Sequence, residues 1–438
     1  MTTTIVKESG PPYAPPRRRA ARRLPRRATE TVVFGAAIAV ALLHALDDAF
    51  LHRGPGVGLG QHVLAAAVSL VLGLGAIYAF PFLRPALRSA VAFFFGALAA
   101  VNGMLHVKHI AAEGVAASDL TGVLALAAGV VLIGLAAAIP WLHRGEGAAS
   151  PRRRWAYRIG AVPVGLLLAL CTVVPIGMGL TETHKYREAI GPPPSADYRE
   201  VAFDASDGVH LSGWYRPTQN GATILLVHGG GGDRTGAVAH AKLLVRHGYG
   251  VLLYDARGRG KSEGAQNAFG WAWSRDVAGA LRFLKARAEV DPGRIGALGL
   301  STGADVLVQA EAQRTDLHAV VADGTAAGSF EDWRRLQGTT PLTPFLAAEF
   351  ATVRIASCAR SGPPLEDMIK RISRPLLLVS AGRAEEYKFN VKYDRDAGRR
   401  PVEHWNLRDA THTAAIRQAA PAYERRITAF FDAALRRR

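Results

Sequence analysis

Cysteine is scarce in this chain, with only Cys171 and Cys358 among 438 residues. Cys171 falls within an apolar segment and Cys358 in a C-terminal region of different composition, so we do not expect the two to pair. Neither has the local surroundings of a catalytic thiol. The sequence therefore predicts no intrachain disulfide, even outside the cytoplasm.

Polar helix faces are missing from most of the first 180 residues. Five segments are apolar and long enough to cross a bilayer, which takes about 20 residues each. They cover residues 31–51, 63–83, 88–108, 120–142 and 157–180. A soluble helical bundle would carry polar faces on its surface. The N-terminal half is therefore predicted to be an all-α transmembrane bundle of five helices.

Acidic residues are few, and 36 Asp and Glu against 53 Lys and Arg give a formal net charge of +17. The basic residues gather in the tail Arg17–Arg27 and in the loops Arg84–Arg88 and Arg144–Arg158. The intervening loops hold only Arg53 and Lys108, so the N-terminus is predicted in the cytoplasm and the C-terminal half outside the membrane. Basic loops at the inner membrane surface would meet anionic lipid head groups, which accounts for the positive net charge. A lipid bilayer is the expected partner and nucleic acid is not.

The predicted organisation has four parts. A basic cytoplasmic tail (1–29) precedes the five-helix transmembrane domain (30–181), and a short proline-rich linker (182–196) leads to a C-terminal domain (197–438). Within that domain the segment from about 325 to 373 is longer than a simple strand connection. It contains Trp333, Phe345 and Phe350, which favours a small helical cap.

Residues 296–308 read GALGLSTGADVLV, a short apolar run, a Gly-x-Ser-x-Gly turn and a helical stretch. A sharp strand-to-helix turn exposes a serine above a parallel sheet, and Gly299 and Gly303 allow close backbone packing. Ser301 is therefore the predicted nucleophile. The pentapeptide alone is a weak signal in a chain with 46 glycines.

Residues 222–232 read ATILLVHGGGG, a buried parallel strand that ends in a glycine-rich loop. Backbone amides in such a loop can bind an oxyanion. We assign the oxyanion hole to the amides of Thr302 and Gly230, with Gly231 next in line. No Gly-Lys-Ser/Thr follows these glycines and their spacing misses GxGxxG, which argues against nucleotide binding.

A histidine base should lie in a loop after a strand, within reach of the serine. His412 follows the predicted strand 402–407 by five residues and meets this requirement. His404 lies within that strand and is expected to be a packing or surface residue. His228 begins the glycine loop and is expected to organise it.

The third catalytic residue orients the imidazole and stabilises its charged form. It should follow the predicted strand that ends at Gly382, where the loop reads GRAEEYKFN. Glu385 is our choice, Glu386 is the alternative, and Asp323 after the preceding strand is held in reserve. The loop DARGRGKSEG (255–264) is expected to be structural, with Asp255 and Arg257 tying backbone groups together.

These motifs, in the chain order serine, acid, histidine, resemble the α/β-hydrolase family from about residue 197 to the C-terminus. The DxRGxGxS-type loop is similar to that of the dienelactone-hydrolase and serine-aminopeptidase-like branch. The resemblance implies a mostly parallel, doubly wound sheet and acyl transfer to water through an acyl-serine, with no metal or organic cofactor. Many members carry Asp where this chain has Glu385.

The predicted function is that of a membrane-anchored serine hydrolase acting on a carboxylic ester or thioester. A small acyl substrate is expected, and a lipophilic one suits the architecture; no obligate protein partner is inferred. One alternative is an aminopeptidase-like serine peptidase, which needs an acidic pocket for the substrate amine. Another is a transporter or sensor in which the hydrolase is accessory.

A polar cluster near the outer helix ends supports that last alternative. Its members are His44, Asp48, His52, His106 and His109, with Asp47 and His62 nearby. Ionisable groups at membrane depth are costly, so they usually pair or serve a function. The cluster is consistent with a divalent-metal or proton-linked site, with a hydrogen-bonded network that packs the helices or docks the hydrolase, and with head-group solvation.

Overall fold

The structure is a computed structural model, and it describes residues 26–53, 55–117, 119–143, 150, 167, 171–184, 187, 189–313, 316–383 and 385–436. Most of the predicted basic tail and much of the predicted fifth apolar segment lie outside these residues.

Four N-terminal helices are long and apolar enough to cross a membrane, with mean hydropathy between 1.8 and 2.6. They are α1 (Arg26–Leu46, continued by a π-helical turn Asp47–Leu51), α2 (Gly60–Ala79), α3 (Pro85–Glu113) and α4 (Asp119–Leu142). A helix that we name α5 is described from 171 to 183. The described residues thus contain four candidate spans where the sequence predicted five, since the remainder of the fifth is outside them.

Glycines bring α3 and α4 into close contact. A Cβ atom at Gly103 would lie 2.6 Å from the carbonyl oxygen of Gly122, and one at Gly129 would lie 2.7 Å from the amide nitrogen of Ala100. Small residues at such positions let helix backbones approach closely, which is how apolar helices gain packing energy in lipid.

A buried charged cluster joins three helices at one end of the bundle. Near the start of α1, Glu30 accepts a hydrogen bond of 2.5 Å from Arg88 Nη1 and lies 2.7 Å from His143 Nε2. Glu30 and Arg88 are both almost fully buried. Buried charges are tolerated when paired in this way, and the cluster fixes the beginnings of α1 and α3 beside the end of α4.

The C-terminal domain is built on one eight-stranded sheet in the order β1-β2-β4-β3-β5-β6-β7-β8. The strands are β1 (Arg199–Asp204), β2 (His210–Arg216), β3 (Thr223–Val227), β4 (Gly250–Tyr254), β5 (Ile295–Leu300), β6 (Ala319–Asp323), β7 (Leu376–Ala381) and β8 (Val402–Leu407). The pairs β1–β2 and β2–β4 are antiparallel, and the others are parallel.

Helices cover both faces of the sheet, which is why β3 to β7 are buried along their whole length. One face packs on α6 (Val238–Arg246) and α14 (Ala420–Ala434). The other packs on α7 (Trp273–Lys285), α8 (Thr302–Gln313), α11 (Leu365–Ile369) and α12 (Glu385–Ala397). The mostly parallel, doubly wound α/β-hydrolase architecture predicted from the sequence is present.

The segment predicted as a cap is helical. It contains α9 (Phe330–Gln337) and α10 (Thr343–Ser357) before α11, and a short α13 (Ala415–Gln418) precedes the closing helix. The antiparallel strands β1 and β2 were not predicted. β1 is a partly exposed edge strand and β2 mixes polar with apolar residues, so neither has the continuous apolar run that marks the central strands.

The C-terminal domain contacts the bundle at the end opposite Glu30. The amide of Gly264 donates to the Pro55 carbonyl at 2.9 Å, and that of Ala268 donates to the Glu182 carbonyl at 3.0 Å. Between the two domains lies a cavity of about 1070 Å³, lined by residues of both. We call it the interdomain cavity.

Candidate active site

Ser301 lies in the turn between β5 and α8 with φ of 53°, in the left-handed region that non-glycine residues rarely adopt. Its amide donates to the Asp323 carbonyl at 2.8 Å. A Cβ at Gly299 would lie 2.4 Å from the carbonyl oxygen of Gly303, and one at Gly303 would lie 2.4 Å from that of Val227. The turn therefore requires both glycines, and it has the strained geometry of a nucleophile elbow.

His412 lies in the loop after β8 and is bonded to a carboxylate. Its Nδ1 is 2.6 Å from Oε2 of Glu386, while Oε1 of Glu386 accepts the Ala381 amide at 2.8 Å. The carboxylate is thus fixed between the end of β7 and the imidazole. The hydrogen bond to Glu386 raises the pKa of His412 above its ordinary value of 6.5.

The prediction that Glu385 orients His412 is wrong. Its carboxylate instead accepts a hydrogen bond of 2.9 Å from Gln337 Nε2. Helix α12 begins at Glu385, and successive side chains on a helix point about 100° apart. The two neighbouring glutamates therefore face different partners, and only Glu386, the alternative, faces the imidazole.

Asp323, the reserve candidate, binds Tyr423 and not His412. Its carboxyl accepts a hydrogen bond of 2.7 Å from the Tyr423 hydroxyl and is 2% exposed. Burial raises the pKa of Asp323 to about 7. The charge of Asp323 adds to the effect of Glu386 in raising the pKa of His412, and its main-chain carbonyl accepts the Ser301 amide.

Gly324 lies against the ring of His412 and next to the residue whose carbonyl holds the Ser301 amide. A Cβ there would lie 2.8 Å from Cε1 of His412, and Gly324 directly follows Asp323, whose carbonyl binds the Ser301 amide. Among the described side chains, no hydrogen bond joins Ser301 Oγ to His412 Nε2. Catalytic hydrogen bonds are often long until a substrate is bound.

The glycine loop after β3 lies against the serine turn. A Cβ at Gly230 would stand 1.9 Å from the Ala268 carbonyl and 2.6 Å from Thr302 Oγ1, so a side chain has no room there. Arg259 Nη2 donates to the Gly230 carbonyl at 2.5 Å and fixes the peptide. Within the part of the chain that the structure describes, the amides of Gly230 and Thr302 donate to no other protein group.

His228 organises this loop, as expected. Its Nε2 accepts the Ala256 amide at 3.0 Å, and its Nδ1 lies 2.7 Å from the Gly229 carbonyl. Burial lowers the pKa of His228, so the ring stays neutral and can both accept and donate. His404, expected to be a packing or surface residue, bonds to Ser380 at 2.7 Å between neighbouring strands.

The DARGRGKSEG loop is held by buried ion pairs. Asp255 accepts the amides of Arg234 and Lys261, both at 2.9 Å, and the Arg234 guanidinium at 2.7 Å. Arg257 donates to Asp276 at 2.7 Å and 2.8 Å. These contacts agree with the structural role predicted for Asp255 and Arg257. The motif as a whole gave no sign that Arg259 would contact the glycine loop.

An aromatic stack connects the cap to the loop 264–271. The rings of Phe269 and Phe350 are parallel, with centroids 4.7 Å apart, and Trp271 lies 6.1 Å from Phe350. One side of this loop contacts the glycine loop and Thr302 through Ala268, while Gly264–Gln266 line the interdomain cavity. A single loop therefore separates the serine turn from the cavity.

The predicted polar cluster lies at the bundle end that faces the C-terminal domain. Ligand atoms of His44, Asp48 and His106 fall within 4.8 Å of one another. His52 instead bonds to Asp47 at 2.9 Å, and His109 bonds to Asp119 at 2.8 Å. His106 also bonds to Asp119, and Thr121 bonds to both His44 and Asp47, so the predicted residues form one continuous network around the group of three.

The fold, the strained serine turn and the histidine–glutamate pair define a serine hydrolase of the α/β-hydrolase class. Residues 198–429 match the family described as X-Pro dipeptidyl-peptidase (S15 family), and the chain belongs to that family.

Curated relatives extend this comparison. The chain is 34% identical over 167 residues to an uncharacterized protein of Mycobacterium tuberculosis, a match that covers 36% of this chain and 59% of that protein. It is 30% identical over 148 residues to the quorum-quenching protein AidA of Acinetobacter baumannii, covering 33% of this chain and 49% of AidA. The chain thus spans about half to three-fifths of these relatives.

Among solved structures, an esterase of Pyrococcus furiosus is similar to this chain. The two are 23% identical with a TM-score of 0.47, and the match covers 57% of this chain and 97% of that one.

Proposed function

We propose that the protein is a membrane-anchored serine hydrolase that cleaves a carboxylic ester or thioester through an acyl-serine intermediate. The observation that carries the proposal is the 2.6 Å bond between His412 and Glu386 beside the strained turn of Ser301. Ser301 is the nucleophile, His412 the base, and Glu386 the group that holds the imidazole.

The reaction has two halves. Ser301 Oγ attacks the acyl carbon while His412 Nε2 takes its proton, and the amides of Thr302 and Gly230 stabilise the oxyanion. Each such donor contributes about 3 kcal/mol in comparable sites. The alcohol or thiol leaves with the proton from His412. Water then attacks the acyl-serine, gives its proton to His412, and releases the acid as Ser301 regains its hydrogen.

A lipophilic acyl substrate is supported by the interdomain cavity. Its wall is largely apolar and includes Leu42, Leu72 and Leu98 from the helices as well as Ile355 from α10. The loop 264–271 lies between this cavity and the glycine loop, so an acyl chain held among the helices would end close to Ser301. Displacement of that loop would connect the two.

We further propose that the protein lies in the cytoplasmic membrane with its N-terminus inside and the hydrolase outside. The support is that α1 begins at the end marked by Glu30, whereas the hydrolase contacts the other end through Pro55 and Glu182. Five crossings would connect these sides, and the basic loops favour the cytoplasm for the first.

Labelling with a fluorophosphonate probe tests the nucleophile. Wild-type protein should be labelled and Ser301→Ala should not. Ser380→Ala is the matched control, because Ser380 also bonds to a histidine, His404, but lies between strands away from the turn. Loss of labelling in both variants, or retention in Ser301→Ala, would refute the assignment. A membrane-impermeant probe on intact cells tests the sidedness.

The family name favours peptide cleavage as a second candidate. Kinetic comparison of p-nitrophenyl esters with aminoacyl- and X-Pro-nitroanilides separates the two activities. We expect the esters to be hydrolysed with the higher kcat/KM. A preference for nitroanilides with a free amine would establish the peptidase instead, with the same serine as nucleophile.

A further inference from the structure

Three side chains converge where α1 and α3 end, on the wall of the interdomain cavity. We propose that His44, Asp48 and His106 bind a divalent transition metal of the zinc type. The atoms concerned are Nε2 of both histidines and Oδ2 of the aspartate. His44 Nε2 is 3.4 Å and His106 Nε2 is 3.7 Å from that oxygen. Bonds of about 2.0–2.1 Å in a tetrahedral site place ligand atoms at about this separation.

The His44 nitrogen that faces Asp48 and His106 is Nε2, and it makes no hydrogen bond to the described residues. His44 is 1% exposed, and its Nε2 is buried without a hydrogen bond among the described residues. Buried polar atoms are almost always satisfied, so an unsatisfied one calls for a ligand. A metal ion bound between His44 and Asp48 would supply it.

The opposite nitrogen of each histidine is held by a partner. His44 Nδ1 is 3.1 Å from Thr121 Oγ1, and Thr121 in turn donates to Asp47 at 2.6 Å. His106 Nδ1 is 3.1 Å from Asp119 Oδ1. Metal-binding histidines characteristically donate the second N–H to a carboxylate, carbonyl or hydroxyl, which aims the free nitrogen at the ion.

Close packing fixes the ring of His106 as well. A Cβ atom at Gly122 would lie 2.3 Å from that ring, so the absence of a side chain on α4 makes room for it. Asp119 is itself fixed by the Ala116 amide at 2.8 Å. The second ligand sphere is thus built from α4 and the turn before it, while the three ligands come from α1 and α3.

The coordination is open on one side. All three ligands line the interdomain cavity, and three protein ligands leave one tetrahedral position for water or for an oxygen of a bound molecule. Ser301 is not among the residues that line this cavity. The metal site is therefore distinct from the hydrolase site, and it would sit where a ligand passing between the domains meets the helices.

Cobalt titration of the chelator-treated full-length protein in detergent tests the site. Cobalt in a tetrahedral nitrogen and oxygen site gives visible absorption bands. We expect bands that saturate at one equivalent, are displaced by zinc, and are absent in His106→Gln and Asp48→Asn. Asp119→Asn should keep the bands but weaken binding about 10- to 100-fold.

A control variant and a check of folding separate loss of the metal site from other effects of a substitution. His210→Gln removes an exposed histidine that is also paired with an aspartate, Asp204, and should bind cobalt like wild type. An unchanged far-ultraviolet circular dichroism spectrum and a single gel-filtration peak in detergent show that each variant is folded. Absence of cobalt bands in folded wild-type protein, or identical titrations of wild type and folded His106→Gln, would overturn the proposal and leave a purely hydrogen-bonded network.

Discussion

Replacing Glu386 by glutamine should inactivate the enzyme without unfolding it. The carboxylate accepts from the Ala381 amide at 2.8 Å and meets His412 Nδ1 at 2.6 Å. Glutamine has one acceptor oxygen. If that oxygen keeps the hydrogen bond from the Ala381 amide, the NH₂ group must face the imidazole. The ring would then carry its proton on Nε2 and could not accept one from Ser301. The equivalent change in a serine protease triad lowers kcat about 10⁴-fold, and we expect about 10³- to 10⁴-fold here.

The same substitution should move the pH profile. His412 must be neutral to act as a base, so kcat/KM rises with pH through its pKa. The bond to Glu386 raises the pKa of His412 above 6.5. Residual activity of Glu386→Gln should therefore rise at lower pH than wild-type activity, because the charge that favours the imidazolium is gone.

Hydrolysis of a p-nitrophenyl ester by the full-length protein, measured from about pH 5 to pH 9, gives both results. Glu385→Gln is the matched control, since Glu385 contacts Gln337 rather than the imidazole. It should keep kcat within about threefold of wild type, as expected for a surface substitution. Equal losses in the two variants, or an unchanged rate in Glu386→Gln, would refute the assignment of the orienting acid.

Three other substitutions, the first with a control variant, test the serine turn, the oxyanion hole and the buried Asp323. Gly303→Ala should destabilise the hydrolase by about 1–3 kcal/mol in denaturant unfolding, because its Cβ would meet the Val227 carbonyl at 2.4 Å; Gly232→Ala, with no atom within 4 Å, should be nearly neutral. Gly230→Ala should lower kcat about 10²-fold or more by displacing an oxyanion donor, and an unchanged kcat would exclude that amide from the hole. Asp323→Asn should flatten the dependence of thermal stability on pH. With a folded pKa of about 7 against an ordinary 3.8, Asp323 contributes stability that is present below about pH 4 and lost as the pH rises through 7; a parallel pH dependence in the variant would contradict this.

Local signals made much of the hydrolase predictable. Each central strand is a short apolar run that ends in glycine or a polar loop, and the carboxyl ends of parallel strands meet at one edge of the sheet. Ser301 and the loop of His412 therefore had to lie near each other. The glycine spacing around Ser301 also predicted the close packing of Gly299 and Gly303 that the structure contains.

The choice between Glu385 and Glu386 was not predictable from the loop sequence. It depends on where α12 begins, and one residue rotates a side chain by about 100° around the helix. His44 and His106 were predicted to lie near the same helix ends, but the hydrogen bonds of His106 and His109 to Asp119 had no local signal in the sequence. Contacts between distant segments, such as Ala268 with Glu182, depend on how the domains pack and have no local signature.

Mapping the site of covalent modification tests the central claim most directly. The full-length protein is treated with a fluorophosphonate, digested, and sequenced by tandem mass spectrometry. We expect one adduct, on the peptide containing Ser301, formed far more slowly in Glu386→Gln than in Glu385→Gln. An adduct on another residue, or equal rates in the two glutamate variants, would contradict the proposed chemistry.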